Sequence, residues 1–185
     1  MSKGRLFVFS GASGVGKSTV LKQVMAQRTD LAFSVSATTR APRPGEVDGV
    51  SYYFVTKAQF EEMIARGEFL EYDAHMDNYY GTPVAQAKEK METGSVILDI
   101  DPNGAFNVRK IMPEAVLIFI APPSLEELER RLAGRGDTSE EQIAMRLERA
   151  KWEMDQRGWY DYVVVNDQLD SCINEILKII AKEAD

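Results

Sequence analysis

Residues 11–18 read Gly11-Ala12-Ser13-Gly14-Val15-Gly16-Lys17-Ser18, which fits the phosphate-binding pattern G-x-x-x-x-G-K-[ST]. An apolar strand pattern at 5–10 precedes this loop, and a helical pattern at 18–28 follows it. The glycines let the backbone curl, so that its N–H groups and the helix N-terminus can face phosphate oxygens. The sequence therefore predicts a nucleotide-phosphate site, and the alternative is a plain glycine-rich turn.

Three side chains near this loop suit a bound nucleoside triphosphate. Lys17 can reach the β- and γ-phosphates, and the Ser18 hydroxyl can ligate Mg²⁺. Asp99 follows the apolar residues 96–98 at the carboxyl edge of a predicted strand, where its carboxylate can hold the water shell of Mg²⁺. Alternatively, Asp99 only caps a turn at 102–104. The loop alone leaves open an ATPase, a GTPase, a kinase and a non-catalytic nucleotide sensor.

Length and composition indicate one globular unit. A chain of 185 residues can bury one substantial core, and 44% hydrophobic and 28% charged residues are ordinary for a soluble domain. No apolar run approaches the roughly 18 residues that span a bilayer, and residues 1–5 show no signal pattern, so neither membrane insertion nor export is expected. The single cysteine, Cys172, fits a reducing cytoplasm and is expected to be a small buried residue.

The formal net charge of −7 argues against nucleic acid as a partner, because such binding depends on clustered cationic surface. An anionic ligand must therefore find local cations. These are Lys17, the pair Arg40 and Arg43, and the group Arg131, Arg135, Arg146 and Arg149. Single arginines could be solvated salt-bridge partners, but groups flanked by glycines and turns favour anion binding.

Strand and helix patterns alternate along the chain. Strands are predicted at 5–10, 33–36, 95–100, 115–121 and 162–165, and helices at 18–28, 103–111 and from 169 onward. The continuous apolar runs at 96–98 and 116–120 are typical of strands that are buried on both faces. The predicted fold class is α/β, with a P-loop parallel-sheet core wrapped by helices.

Two segments depart from this alternation. Residues 37–82 contain a turn-rich stretch and a helix opened by the capping box Thr56–Gln59, which predicts a small α+β insertion. Its strands are predicted at 52–55, 69–74 and 78–82. Residues 124–150 contain two helical patterns around a glycine-rich tip, opened by boxes at Ser124–Glu127 and Thr138–Glu141, which predicts a lid. The core then comprises residues 1–36, 83–123 and 151–185.

The predicted insertion carries groups suited to a second nucleotide. Arg40 and Arg43 lie in a Pro/Gly loop, where guanidinium groups can bind a phosphate bidentately. Tyrosines at 52, 53, 79 and 80 could add phenolic donors or be ordinary half-buried sheet residues. Glu71 could accept the N1–H and the exocyclic amino group of guanine together, whereas adenine presents an acceptor at N1.

Five stretches in this order resemble the guanylate kinase family, from about residue 4 to 182. They are Gly11–Thr19, Ser36-Ala37-Thr38-Thr39-Arg40-Ala41-Pro42-Arg43-Pro44-Gly45-Glu46, Tyr79-Tyr80-Gly81-Thr82, Ile97-Leu98-Asp99-Ile100-Asp101 and Arg131-Leu132-Ala133-Gly134-Arg135-Gly136. Thr82 stands where other members have serine, and Ala12 where many have proline. Neither difference affects the implied chemistry.

The resemblance assigns roles to individual residues. On the GMP side it places Ser36, Arg40, Arg43, Glu46, Tyr52, Glu71, Tyr80, Thr82, Asp99 and Asp101. On the ATP side it places Gly11, Ala12, Ser13, Gly14, Val15, Gly16, Lys17, Ser18, Thr19, Arg131, Arg135 and Asn166. The implied catalytic groups are Lys17, Arg40, Arg131, Arg135 and Arg146, with Mg²⁺ held by Ser18 and, through water, by Asp99.

The implied reaction transfers the γ-phosphoryl group of ATP to GMP or dGMP, giving ADP and the diphosphate. The acceptor is already an ionised phosphate oxygen, so no general base is required. The single histidine, His75, is accordingly expected to be an exposed loop residue. Two alternatives stay open, a non-catalytic guanylate-kinase-like scaffold and a kinase of another phosphorylated acceptor such as a ribosyl bisphosphate. The chain could act as a monomer or a homo-oligomer.

Overall fold

The computed structural model describes residues 4–75, 77–134 and 139–184. The chain forms two compact units. The first comprises Met1–Leu6, Asp30–Leu98 and Asn103–Ala115, and the second comprises Phe7–Thr29, Asp99–Pro102 and Val116–Asp185. None of the helices in the described ranges is both long and apolar enough to cross a membrane.

Strands and helices alternate as the sequence predicts, except within the two segments 37–82 and 124–150 that were expected to depart from this pattern. The strands are β1 (Leu6–Gly11), β2 (Leu31–Phe33), β3 (Ala37–Thr38), β4 (Tyr53–Phe54), β5 (Phe69–His75), β6 (Asn78–Pro83), β7 (Ser95–Asp99), β8 (Val116–Ala121) and β9 (Tyr162–Val165). The helices are α1 (Lys17–Gln27), α2 (Lys57–Ala65), α3 (Val84–Met91), α4 (Pro102–Ile111), α5 (Leu125–Ala133), α6 (Glu140–Asp155) and α7 (Leu169–Ala184). A short 3-10 helix covers Gln156–Trp159.

The first unit contains both parallel and antiparallel strands. Strand β2 pairs with β7 in parallel. A separate sheet has the order β4-β3-β6-β5, in which β3 and β4 are parallel and the other neighbours are antiparallel. Helix α2 begins with the predicted capping box of Thr56 and Gln59. Its buried Phe60 stacks on Phe69 and Tyr79, with ring centroids 4.3 and 5.1 Å apart, so this packing fixes the helix on the sheet.

The second unit is built on the parallel strands β1, β8 and β9. Every residue of β1 and β8 is buried, which explains their continuous apolar sequences. Helices α1 and α7 pack together, as do α5 and α6. The predicted apolar face of α7 is buried at Ile173, Ile176 and Ile180, whereas Leu169 is 39% exposed.

The predicted strand at 33–36 is wrong, because β2 comprises Leu31–Phe33. Leu31 is buried and pairs with Ser95, while the last bond to β7 runs from the Ser34 N–H to the Ile97 carbonyl. Residues 35 and 36 then lie between this ladder and β3. The ends of the other predicted strands, and of the helices at 18–28 and 103–111, differ from the observed ends by at most one residue.

Three local predictions need correction. Helix α6 opens with a capping box of Ser139 and Gln142, one residue later than the predicted pair, whose Thr138 lies outside the described residues. The predicted capping box at Ser124 and Glu127 is formed in one half. The Ser124 side chain accepts from the Glu127 N–H, but the Glu127 carboxylate binds Arg130 and Arg131. The turn predicted at 102–104 is the first turn of α4, which begins at Pro102.

Two further differences concern the first unit. His75, expected in a loop, is the last residue of β5, which pairs with β6 as far as Asn78. Helix α3 was not predicted, because its buried face consists only of Ala87 and Met91 and gives a weak apolar period.

Candidate nucleotide-binding sites

The glycine-rich loop joins β1 to α1 and lines a cleft of about 550 Å³ in the second unit. The lining residues are Gly11, Ala12, Ser13, Gly14, Val15, Gly16, Lys17, Ser18, Thr19, Asp99, Ile100, Asp101, Arg146 and Glu153. Gly14 and Gly16 have φ values of 89° and 92°, in the left-handed region that favours glycine. A Cβ on Gly14 would also lie 2.6 Å from Cδ2 of Leu132. The backbone conformation therefore favours glycine at position 14, and an added Cβ would have to displace the end of the Leu132 side chain.

Lys17 occupies the cleft at the N-terminus of α1. Its ammonium group forms an ion pair with the Asp99 carboxylate at the end of β7, and its side chain is 21% exposed. Burial lowers the pKa of Lys17 to about 8, while the negative charges of Glu153 and Asp101 oppose that change. The cleft thus holds a lysine ammonium group beside the glycine-rich loop, and the protein pairs this group with the Asp99 carboxylate.

A chain of polar contacts supports the loop from helix α6. The backbone N–H of Ser13 donates to Oε2 of Glu153 at 2.8 Å. Oε1 of Glu153 accepts from Nε of Arg149 at 3.1 Å, and Nη2 of Arg149 donates to Oδ2 of Asp101 at 2.8 Å. Glu153 is only 6% exposed. These contacts connect the loop, α6 and the segment after β7 within the second unit.

A second cleft of about 350 Å³ adjoins the loop on the side of Gly14, Gly16 and Thr19. Asn166, which follows β9, lines it and donates from Nδ2 to the Val15 carbonyl at 2.8 Å. Arg131, in the last turn of α5, donates to the Asn166 carbonyl at 3.0 Å and to Oε1 of Glu127 at 2.8 Å.

The Glu127 carboxylate is the charged partner of Arg131 beside this second cleft. Hydrogen bonds from Arg130 and Arg131 lower the pKa of Glu127 to about 2. Arg131 therefore stays oriented beside the second cleft by a carboxylate that is ionised at neutral pH. Arg135, which the sequence assigns to the same lid, lies outside the described residues.

The first unit brings the predicted phosphate-binding arginines into one loop. Nη2 of Arg40 donates to Oε1 of Glu46 at 2.8 Å, and Oε2 of Glu46 accepts from the Arg43 N–H at 2.7 Å. Glu46 therefore fixes both the Arg40 side chain and the Arg43 backbone. The Arg40 bond, followed by the Arg43 N–H, lowers the pKa of Glu46, and the Glu46 bond raises the pKa of Arg40.

Aromatic rings support the same loop. The guanidinium carbon of Arg40 lies 5.4 Å from the Tyr52 ring centroid and 5.9 Å from that of Phe54. Tyr52 in turn meets the half-buried Tyr80 edge to face at 6.2 Å. The Arg40 guanidinium is thus held by packing against these rings as well as by its ion pair with Glu46.

Ser36 lies where the chain enters β3 and is half-buried. Its carbonyl accepts from the Tyr53 N–H at 2.9 Å.

Glu71 and Thr82 face each other on the antiparallel strands β5 and β6. The Thr82 hydroxyl donates to Oε1 of Glu71 at 2.6 Å, and Thr82 is buried while Glu71 is half-buried. A carboxylate held in one orientation by a buried hydroxyl can accept two parallel N–H donors, which is the pattern of guanine and not of adenine.

The predicted site residues divide between the two units. Ser36, Arg40, Arg43, Glu46, Tyr52, Glu71, Tyr80 and Thr82 lie in the first, and Asp99 and Asp101 lie in the second beside the predicted ATP-side residues. Sequence reasoning missed Glu153 and the bridging contacts of Arg149. The spacing of seven residues places Arg146 and Glu153 on one face of a helix, but it does not show that Glu153 is buried or that it reaches Ser13.

Comparisons with known proteins identify the family of this chain. The family model described as guanylate kinase matches residues 3–183. A guanylate kinase of Thermus thermophilus is 50% identical over 182 residues, which are 98% of this chain and 82% of the relative. The crystal structure of guanylate kinase from Anaplasma phagocytophilum matches with a TM-score of 0.72 and 34% identity, over 99% of this chain and 87% of that one.

A further structural match is more distant. The SH3-kinase fragment of tight junction protein 3 matches with a TM-score of 0.53 and 11% identity, over 100% of this chain and 59% of that chain, which shows a shared fold alone. The family model, the half-identical relative and the matching crystal structure all cover nearly the whole sequence, and on that ground the chain belongs to the guanylate kinase family.

Proposed function

We propose that this chain transfers the γ-phosphoryl group of ATP to GMP, and also to dGMP, giving ADP and the corresponding diphosphate. The observation that carries the proposal is the P-loop cleft, in which Lys17 and Arg146 line the same cavity as the loop glycines. A cleft of this kind suits a triphosphate, because loop N–H groups and cations face one anionic ligand. Membership of the guanylate kinase family supports GMP as the acceptor.

The proposed acceptor site lies in the first unit. Arg40 and Arg43 bind the phosphate of GMP, and Glu46 keeps the Arg40 guanidinium in position through their 2.8 Å contact. Glu71 accepts the guanine N1–H and amino group, with Thr82 fixing the carboxylate. Tyr52, Tyr80 and Ser36 complete the acceptor pocket as hydroxyl donors.

The proposed donor site lies in the second unit. The backbone of Gly11–Thr19 holds the ATP phosphates, Lys17 reaches the β- and γ-phosphates, and Arg131 and Arg146 add positive charge. Asn166 lines the cleft that adjoins the loop, on the side proposed for the adenine. The acceptor oxygen is already ionised, so the residues act by alignment and charge neutralisation and no side chain needs to remove a proton.

Magnesium is part of this proposal. The Ser18 hydroxyl and the Asp99 carboxylate both line the cleft. Mg²⁺ typically keeps several waters and takes one or two protein oxygens together with substrate phosphates, so this donor set fits the ion. When bound, the ion neutralises negative charge on the β- and γ-phosphates.

We also infer a cytoplasmic location. The supporting observation is that the single cysteine, Cys172, is a free and fully buried thiol. A reduced thiol of this kind is typical of a reducing compartment.

The activity is tested by mixing the purified protein with ATP, Mg²⁺ and GMP, dGMP, AMP, UMP or ribose bisphosphate in turn. Chromatography should detect ADP with GDP or dGDP, and little ADP with the other acceptors. Lys17→Ala is the matched negative control, because it removes the lysine ammonium group from the cleft and leaves the acceptor site intact. Absence of GDP from folded wild-type protein would contradict the proposal, and ADP formed only with ribose bisphosphate would favour the other kinase.

A further inference from the structure

Glu153 is a buried carboxylate in a helix whose other acidic residues are exposed. Its side chain is 8% exposed, compared with 75% for Glu148 on the same helix. Glu153 lines the P-loop cleft, yet its two oxygens bind protein groups, the Ser13 N–H and Nε of Arg149. Burying an ionised carboxylate is costly unless it is paired and hydrogen-bonded. These two contacts compensate that cost and fix the carboxylate in place.

The contact with Glu153 constrains the backbone of the phosphate loop at Ser13. The Ser13 N–H lies two residues before the Val15 N–H, which bonds to the Ala12 carbonyl at 3.0 Å within the loop. Loop N–H groups all point towards one side in a phosphate-binding conformation, and their dipoles repel one another. A carboxylate that accepts one of these N–H groups stabilises the curled backbone before any nucleotide binds.

The other end of the contact lies on helix α6, which also carries Arg146. Arg146 and Glu153 are seven residues apart, two helical turns, so they project from the same face. Both line the same cleft. Arg149 lies between them and bridges Glu153 to Asp101 at 2.8 Å. The Glu153–Ser13 contact therefore joins the phosphate loop to the helix that carries Arg146.

We propose that Glu153 is a positioning residue, whose carboxylate holds the Ser13 N–H and Arg149 and thereby sets the phosphate loop and Arg146 in register for the nucleotide. This inference rests on the proposed function, in which the phosphate loop and Arg146 bind ATP. Glu153 acts through these groups and needs no contact with the substrate.

The first experiment is independent of catalysis. Hydrogen exchange of the Ser13 amide is measured in nucleotide-free wild type, Glu153→Ala and the matched control Glu148→Ala, which removes an exposed carboxylate paired with Lys151 on the same helix. Loss of the acceptor should speed exchange at Ser13 by about tenfold in Glu153→Ala and leave Glu148→Ala like wild type. Equal exchange in all three proteins overturns the proposed contact, whether or not the chain makes GDP.

The second experiment separates positioning from general stability. Glu153→Ala should lower kcat/KM for ATP by about 30-fold or more and leave the calorimetric Kd of GMP, measured without ATP, within about threefold of wild type. Glu153→Gln keeps an acceptor for the Ser13 N–H but turns an amino group towards Arg149. Its kcat/KM for ATP should therefore fall between the values of wild type and Glu153→Ala. Equal losses of GMP binding and ATP use would indicate a structural role and overturn the proposal.

A double-mutant cycle tests the link to Arg146. If Glu153 acts by placing Arg146, Glu153→Ala should cost at least about fivefold less in kcat/KM in an Arg146→Ala background than in wild type. Independent, fully additive losses would overturn that part of the proposal. Wild-type activity in the same assay reports the proposed function separately, so the two failures are distinguishable.

Discussion

The Thr82 hydroxyl donates a hydrogen bond of 2.6 Å to Oε1 of Glu71 across the antiparallel pair β5 and β6. Thr82 is fully buried, so its hydroxyl has a fixed partner rather than bulk water. The Glu71 carboxylate is therefore oriented before a ligand arrives, which reduces the entropy lost on binding. This pair gives the proposed guanine specificity a physical basis.

Glu71→Gln should weaken recognition of guanine more than it weakens the fold. The amide sets a donor against one of the two guanine donors, and a mispaired hydrogen bond to a partly buried group costs about 2 to 4 kcal/mol in kcat/KM for GMP. Steady-state kinetics with GMP measures this loss. Glu68→Gln is the matched control, since its carboxylate pairs with Arg66 outside the proposed site. A Glu71→Gln value within about threefold of wild type would remove Glu71 as the base reader.

Arg146→Ala should lower turnover and leave GMP binding intact. Arg146 lines the P-loop cleft and adds positive charge where the transferred phosphoryl group would lie. Removing one preorganised charge typically costs about 10²- to 10³-fold in kcat. Rapid-quench measurement of ADP checks this, with calorimetric GMP affinity as the second readout.

Lys151→Ala serves as the control for Arg146→Ala, because it removes a cation from the same helix that pairs with the exposed Glu148. Its kcat should stay within about twofold of wild type. A tenfold loss of GMP affinity in Arg146→Ala, with kcat unchanged, would move Arg146 from the donor side to the acceptor side.

The Cys172 thiol should be unreactive in the folded protein. The residue is fully buried, and burial raises the pKa of its thiol to about 11. Because the thiolate is the reactive form, only about one molecule in a thousand carries it at pH 8. Mass spectrometry after iodoacetamide treatment at pH 8 should show little labelling in native protein and full labelling in urea. Rapid labelling of native protein would contradict this environment.

The phosphate-loop cleft could be predicted from sequence because its determinants are local. Residues 11–18 specify a loop with left-handed glycines and a lysine at a helix N-terminus within one short stretch. The capping box at Thr56 and Gln59 was predicted for the same reason. Local backbone geometry and side-chain caps depend on neighbours three or four residues away, which a sequence displays directly.

Glu153 could not be predicted from the same information. Its partner, Ser13, lies 140 residues earlier, and the pattern of α6 does not distinguish a buried glutamate from an exposed one such as Glu148. The wrong prediction of the strand at 33–36 has a similar cause. The ends of β2 depend on which backbone groups of β7 are available for pairing. Tertiary pairing decides both features, and a single sequence carries no direct record of it.

Gly14→Ala should impair the phosphate loop far more than an equivalent change elsewhere. Gly14 has φ of 89°, and a Cβ there would lie 2.6 Å from Cδ2 of Leu132. Gly67 is the matched control, because its φ is 68° and an added Cβ meets no atom within 4 Å. Both substitutions carry the left-handed backbone cost of about 1 to 2 kcal/mol. Only Gly14→Ala must also displace the end of the buried Leu132 side chain. Thermal unfolding should therefore show the larger loss of stability for Gly14→Ala, and calorimetry should show weakened ATP binding for Gly14→Ala alone. Equal effects of the two substitutions on ATP binding would mean that close packing against Leu132 does not shape the loop.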